Sequence, residues 1–97
     1  MIVVKYYICI PQTYPYTMKS DGECYEFSTY IEDEEPQKLK RSKKRKQELF
    51  EAIKSLVTEA IRRKEFKHYL WWKFNVFDDN ANYIYGIENV WNTKFYS

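Results

Sequence analysis

A chain of 97 residues is the size of one domain and can hold a core without disulfide or metal staples. Its apolar fraction of 44% and aromatic fraction of 20% exclude a disordered chain, and no run approaches the ~18 consecutive apolar residues of a membrane-spanning helix. The formal net charge of +2 hides a segregation: the seven positive charges between Lys38 and Lys46 sit on a remainder that carries −5.

The first element in chain order is a strand. Val3 to Ile10 is β-branched and aromatic, with Ile2, Val4, Tyr6, Ile8 and Ile10 on one side of a period-2 pattern. This segment lacks the charged start and small-residue cleavage site of a signal peptide, which favours an intracellular (cytoplasmic) setting. Pro11 and Pro15 bracket an irregular stretch running to the turn signal Asp21-Gly22. Cys24 to Ile31 alternates again, with Tyr25, Phe27, Thr29 and Ile31 on one face. An antiparallel register with Cys9 opposite Cys24 pairs Ile8 with Tyr25, Tyr6 with Phe27, Val4 with Thr29 and Ile2 with Ile31. The apolar faces then coincide, as a half-buried hairpin requires. The same register sets the two cysteines side by side, so Cys9 and Cys24 are a candidate disulfide, with free thiols the usual state in a reducing compartment.

The acidic run Glu32-Asp33-Glu34-Glu35 precedes the clearest element. Leu49, Phe50, Ile53, Leu56, Val57, Ala60 and Ile61 form a wide apolar stripe at helical period. Pro36 suits a first helical turn and the acids suit the positive end of the helix dipole, so helix is expected from about Pro36 to Phe66, on the order of 45 Å long. Ser42 and Lys46 fall where the stripe should face a core. Residues 37–48 are therefore expected to form a basic first half of the helix that projects into solvent.

After the helix, His68 to Phe77 alternates with Leu70, Trp72, Phe74 and Val76 together, and Asp78-Asp79-Asn80-Ala81 reads as a turn. Setting Phe77 opposite Asn82 pairs Val76 with Tyr83, Phe74 with Tyr85 and Trp72 with Ile87. The expected fold is one α+β domain over residues 1–97, a four-stranded antiparallel sheet in ββαββ order with one long amphipathic helix packed on one face. The sheet's other face would carry Val3, Tyr7, Tyr30, Tyr69, Trp71, Phe77 and Ile84 among Lys5, Glu26, Lys73 and Glu88. A face so rich in aromatics calls for a cover, most simply a second copy of the chain, with Tyr7, Tyr30, Tyr69 and Trp71 as interface residues.

The densest chemical signal is the basic run of Lys38, Lys40, Arg41, Lys43, Lys44, Arg45 and Lys46, which has no acid within it. Such a run neutralises phosphates and releases counterions, or else it is a solvated helix face. The exposed aromatics could stack on unpaired bases, although no ribonucleoprotein consensus accompanies them. His68, the single histidine, has no nucleophile at recognisable spacing. Asp78, Asp79 and Glu88 carry the residue types of a divalent-ion site for phosphodiester hydrolysis, but aspartates in a turn usually serve the turn. Two glycines in the whole chain could hardly build a phosphate-binding loop. No enzyme, cofactor or metal is expected.

Abundant Tyr, Ile and Lys, runs such as Val3-Val4-Lys5-Tyr6-Tyr7-Ile8 and Tyr69-Leu70-Trp71-Trp72, and very little Gly give the chain a distinct style. In that style it resembles the small orphan α+β proteins encoded by viruses of thermophilic archaea. The resemblance implies a homodimer that binds nucleic acid or blocks a host protein, and in a hyperthermophile it makes a Cys9–Cys24 bridge more credible. The sequence thus leads to a non-enzymatic nucleic-acid-binding protein of modest sequence specificity. The alternative is a protein-interaction module, or inhibitor of a host factor, acting through the aromatic sheet face.

Overall fold

β1 (Ile2–Ile10) and β2 (Glu23–Ile31) pair antiparallel in the register that their apolar faces require, from Ile2 opposite Ile31 to Cys9 opposite Cys24 and Ile10 opposite Glu23. The structure, a computed structural model, describes residues 1–10, 23–64 and 69–92. The irregular stretch expected over 11–22, the helix end at Phe66 and the strand start at His68 lie outside those residues. The remaining elements are α1 (Pro36–Leu39), α2 (Lys43–Lys64), β3 (Trp71–Phe77), β4 (Tyr83–Gly86) and β5 (Val90–Trp91). The class is α+β with an antiparallel sheet and one long helix, but the order is ββααβββ.

Strand order is β2-β1-β3-β4, with β5 pairing β3 beyond the end of β4. β1 is therefore central. It sets Val4 against Val76, Tyr6 against Phe74 and Ile8 against Trp72 on the core face, and Lys5, Tyr7 and Cys9 against Asn75, Lys73 and Trp71 on the other. Cys9 and Cys24 are cross-strand neighbours as expected, and no bond joins their sulfurs.

Two expectations about the helix are corrected. It is not continuous from Pro36, because residues 40–42 break it. Arg41 N–H donates to Lys38 O at 3.0 Å and Ser42 N–H to Leu39 O at 3.4 Å, the tight spacing of a helix end. Ser42 then starts α2: its Oγ accepts from Arg45 N–H at 3.2 Å and its carbonyl from Lys46 N–H at 3.0 Å. A serine that looks like a defect in an apolar stripe is in fact an N-cap, the position serine favours because its hydroxyl satisfies an orphan N–H. Nor does segment 37–48 simply project. The break turns Leu39 inward, where it is 2% exposed within the main core, and α1 lies beside β4.

The core joins Leu49, Ile53 and Val57 of α2 to Ile2, Val4, Tyr6, Ile8, Trp72, Phe74, Val76 and Ile84 of the sheet. Each fully buried aliphatic side chain contributes about 1.5–3 kcal/mol. Rings interlock within it: Tyr6 stacks on Phe27 at 5.2 Å, Phe50 tilts against Trp72 at 5.5 Å, and Phe74 meets Tyr85 edge-on at 6.2 Å. Leu56 departs from its expected place on the buried stripe and is 39% exposed.

The β3–β4 pairing also differs from expectation. Phe77 pairs with Tyr83 but Val76 with Tyr85, so Ile84 is an extra residue in a bulge. The bulge sends both Ile84 and Tyr85 toward the core and leaves Tyr83 outside, against Phe77 at 6.0 Å. Ile84 therefore leaves the second face on which alternation placed it. Tyr69 leaves it too, since it packs half-buried against the core, with Asn92 Nδ2 donating to its carbonyl at 2.9 Å.

Asp78 organises the turn before β4. Its Oδ1 accepts from Asn80 N–H and Asn82 N–H, both at 2.9 Å, and its Oδ2 from Asn82 Nδ2 at 3.2 Å. These bonds, the one from Asn82 N–H foremost, hold its carboxyl below the usual range. Ala81 pays for the turn with φ of 65°, a conformation that costs L-residues roughly 1–2 kcal/mol. Ala81→Gly is accordingly expected to raise unfolding free energy by about 0.5–1 kcal/mol, read from the midpoint of a urea titration.

Candidate nucleic-acid interface

The helix break sorts the seven cations of the basic run. Lys38 Nζ pairs with Glu35 at 2.9 Å. Arg45 turns back to Asp33, whose carboxylate is mostly buried, and also donates from Nη1 to Glu35 O at 3.2 Å. Asp33 Oδ1 accepts from Glu35 N–H at 2.9 Å as well, so one carboxylate ties the chain before α1 to the first turn of α2. Lys46 lies half-buried with its Nζ 5.2 Å from the centre of the Tyr85 ring. Each of these three cations thus has a partner within the fold, and Arg45 is the one that ties the chain before α1 to α2.

The other four are not. Lys40, Arg41, Lys43 and Lys44 are all exposed, and none of their side chains makes an ion pair, hydrogen bond or ring contact among the described residues. They cluster at the elbow, two before Ser42 and two just after it. The first turn of α2 contains no acid, so these charges stand at the positive end of the helix dipole. A cation there is unfavourable by about 0.3–1 kcal/mol, whereas an anion is favourable by a similar amount. The elbow combines uncompensated cations with the positive end of a helix dipole, the combination that attracts phosphate.

A groove of about 450 Å³ opens next to the elbow, lined by Lys43, Lys46, Gln47, Phe50, Tyr85 and Gly86. A Cβ at Gly86 would press on the Asn75 side-chain oxygen and stand 3.0 Å from the Phe74 carbonyl, so a larger residue there has to displace Asn75 and crowd the β3 backbone. Tyr85 Oη is buried without a hydrogen-bond partner among the described residues, and burial pushes its pKa up to about 12. Because the folded value lies above the ordinary value near 10, the folded state holds its proton longer, and stability is expected to fall as pH rises from about 10 toward 12. Tyr85→Phe should flatten that alkaline loss in thermal melts while costing little at pH 7, since it removes an unpaired hydroxyl.

The second face of the sheet is organised by its lysines. Lys73 lies over both Tyr7, at 5.7 Å, and Trp71, at 5.6 Å, and Lys5 lies over Phe77 at 5.5 Å while reaching Glu26 at 3.9 Å. The expected interface residues thus separate: Tyr7 and Trp71 are half-buried beneath Lys73, Tyr30 stands 68% exposed at the sheet edge, and Tyr69 belongs with the core. Trp91, 42% exposed on β5 opposite Trp71, joins this face without having been anticipated, because it lies outside the alternating runs.

Among the described residues no three His, Cys, Asp or Glu side chains converge as metal ligands, and both Asp78 oxygens are committed to the turn. No described helix is long and apolar enough to cross a membrane. No family model, curated protein or solved structure matches the chain.

Proposed function

We propose that this chain is a non-enzymatic nucleic-acid-binding protein whose contact surface is the α1–α2 elbow. The observation that carries the reading is the set of four exposed, unneutralised cations, Lys40, Arg41, Lys43 and Lys44, at a helix start with no acid in its first turn. Phosphate contacts of this kind position a protein without reading bases, so sequence specificity is modest. The groove beside the elbow adds Phe50 and Tyr85 as apolar walls for a neighbouring sugar or base. Fluorescence anisotropy with a generic duplex and a generic single strand tests the reading. Four duplex phosphate contacts give an affinity loss on the order of a hundredfold between about 50 and 200 mM salt. Absence of binding at the lower salt would remove the proposal.

A protein-interaction module, for instance an inhibitor of a host factor, is the second reading. It is favoured by the exposure of Tyr30 and Trp91 at 68% and 42% on the aromatic face. Aromatic anchors of this type dominate binding energy where they enter a partner's pockets. Trp91→Ala would then abolish partner capture and leave any nucleic-acid affinity unchanged.

A further inference from the structure

The two edges of the sheet are built differently. On one edge, β4 is four residues long, β5 is two, the pairing with β3 shifts at Val76/Phe77, and a further one-residue offset separates Gly86 opposite Asn75 from Val90 opposite Trp72. Short strands and bulges are the means by which proteins keep an edge from pairing. The other edge is β2, nine residues in unbroken register with β1. It contains no proline and no lysine, and it ends in the strand-forming run Thr29-Tyr30-Ile31. Its charges are the two carboxylates Glu23 and Glu26, and no described element covers its outer side.

An apolar groove of about 310 Å³ runs along the same edge, between β2 and α2. Phe27, Leu56 and Ala60 line it, and Glu59 and Arg63 stand on its rim. Leu56 is the one residue of the α2 stripe left substantially in water, and it is left there at this groove. The rim carries one charge of each sign, so two such grooves related by a two-fold axis are complementary to each other.

We propose that the outer edge of β2 is the docking surface for a second copy of this chain. The two β2 strands pair antiparallel about an axis through Phe27, joining the two sheets into one. An axis at Phe27 sets all nine residues of β2 opposite the other copy and keeps both helices on the same side of the joined sheet. It sets Phe27 against its counterpart on the helix face, Tyr25 against Thr29, and Glu26 against Ser28. An axis at Glu26 would instead oppose two carboxylates and leave the Ile31 end unpaired. The two grooves then face each other across the axis, covering Leu56 and bringing Glu59 of each copy toward Arg63 of the other. This surface is separate from the elbow and does not depend on nucleic-acid binding. It also differs from the aromatic face, where lysine side chains already lie across Tyr7, Trp71 and Phe77.

Sedimentation equilibrium of the full chain across the micromolar range tests the proposal, with a particle of twice the chain mass expected. Leu56→Glu, at an exposed position, should weaken the dimer on the order of tenfold or more while leaving the far-UV spectrum unchanged. Arg63→Glu, whose side chain is 75% exposed and among the described residues makes only the surface pair with Glu59, is the second variant should the first fail to fold. It should also weaken the dimer, and adding Glu59→Arg should restore it. Hydrogen exchange should show amides of β2 losing protection in the weakened variants. A chain that is monomeric throughout the range overturns the proposal, as does a dimer indifferent to both substitutions.

Discussion

Replacing Lys40, Arg41, Lys43 and Lys44 together by glutamine is expected to lower duplex affinity at low salt by on the order of a hundredfold or more and to flatten its salt dependence. Thermal stability should be unchanged or slightly higher. The reason lies in the elbow: these four side chains make no ion pair among the described residues, and two of them oppose the dipole of α2. Separation of binding from stability is the diagnostic feature. Arg45→Gln should behave in the opposite way. It removes the partner of the mostly buried Asp33 carboxylate and is expected to cost about 1–2 kcal/mol of stability, with a smaller loss of affinity. Parallel anisotropy titrations and thermal melts of the two variants check both statements. An elbow variant that binds as tightly as the parent chain would sink the nucleic-acid reading.

Phe74→Ala is expected to destabilise the fold by about 3–5 kcal/mol, a large share of the roughly 5–15 kcal/mol available to a domain of ordinary stability. Phe74 is wholly buried at the centre of the sheet, opposite Tyr6 of β1 and in ring contact with Trp72 and Tyr85. Alanine would leave a cavity flanked by rigid rings on two neighbouring strands, where collapse is difficult. A urea midpoint near that of the parent chain would mean that the core repacks around the gap. Val76→Ala at the next buried position of β3 should cost less, because fewer atoms leave a site of similar burial.

The elbow also explains why a basic run of seven could not be divided in advance. The run has no internal acid, and helical spacing alone distributes its charges around the axis. Which cations are spent within the fold depends on where the chain before the helix lies. Asp33 reaches Arg45 across twelve positions because Ser42 ends one helical segment and starts another. The Lys46 ammonium settles on Tyr85 because α1 lies beside β4 and the first turn of α2 lines the same groove as Tyr85. Serine at Ser42 is an N-cap signal and so marks the break locally, whereas the partner each cation finds depends on elements distant in sequence.

What the sequence by itself determined is local. The β1–β2 register followed from matching two period-2 faces, since a slip of one residue would send every apolar side chain to water. The buried line Leu49, Ile53 and Val57 followed from the helical period for the same reason. The tertiary structure alone decided the rest. It placed β1 rather than β2 at the centre beside β3, and it moved Ile84 inward through a bulge. It also left Leu56 at the sheet edge and divided the basic run into cations that find partners within the fold and cations that do not among the described residues. Periodicity states which side of an element avoids water, but not which surface it meets, and each of these outcomes turns on the meeting.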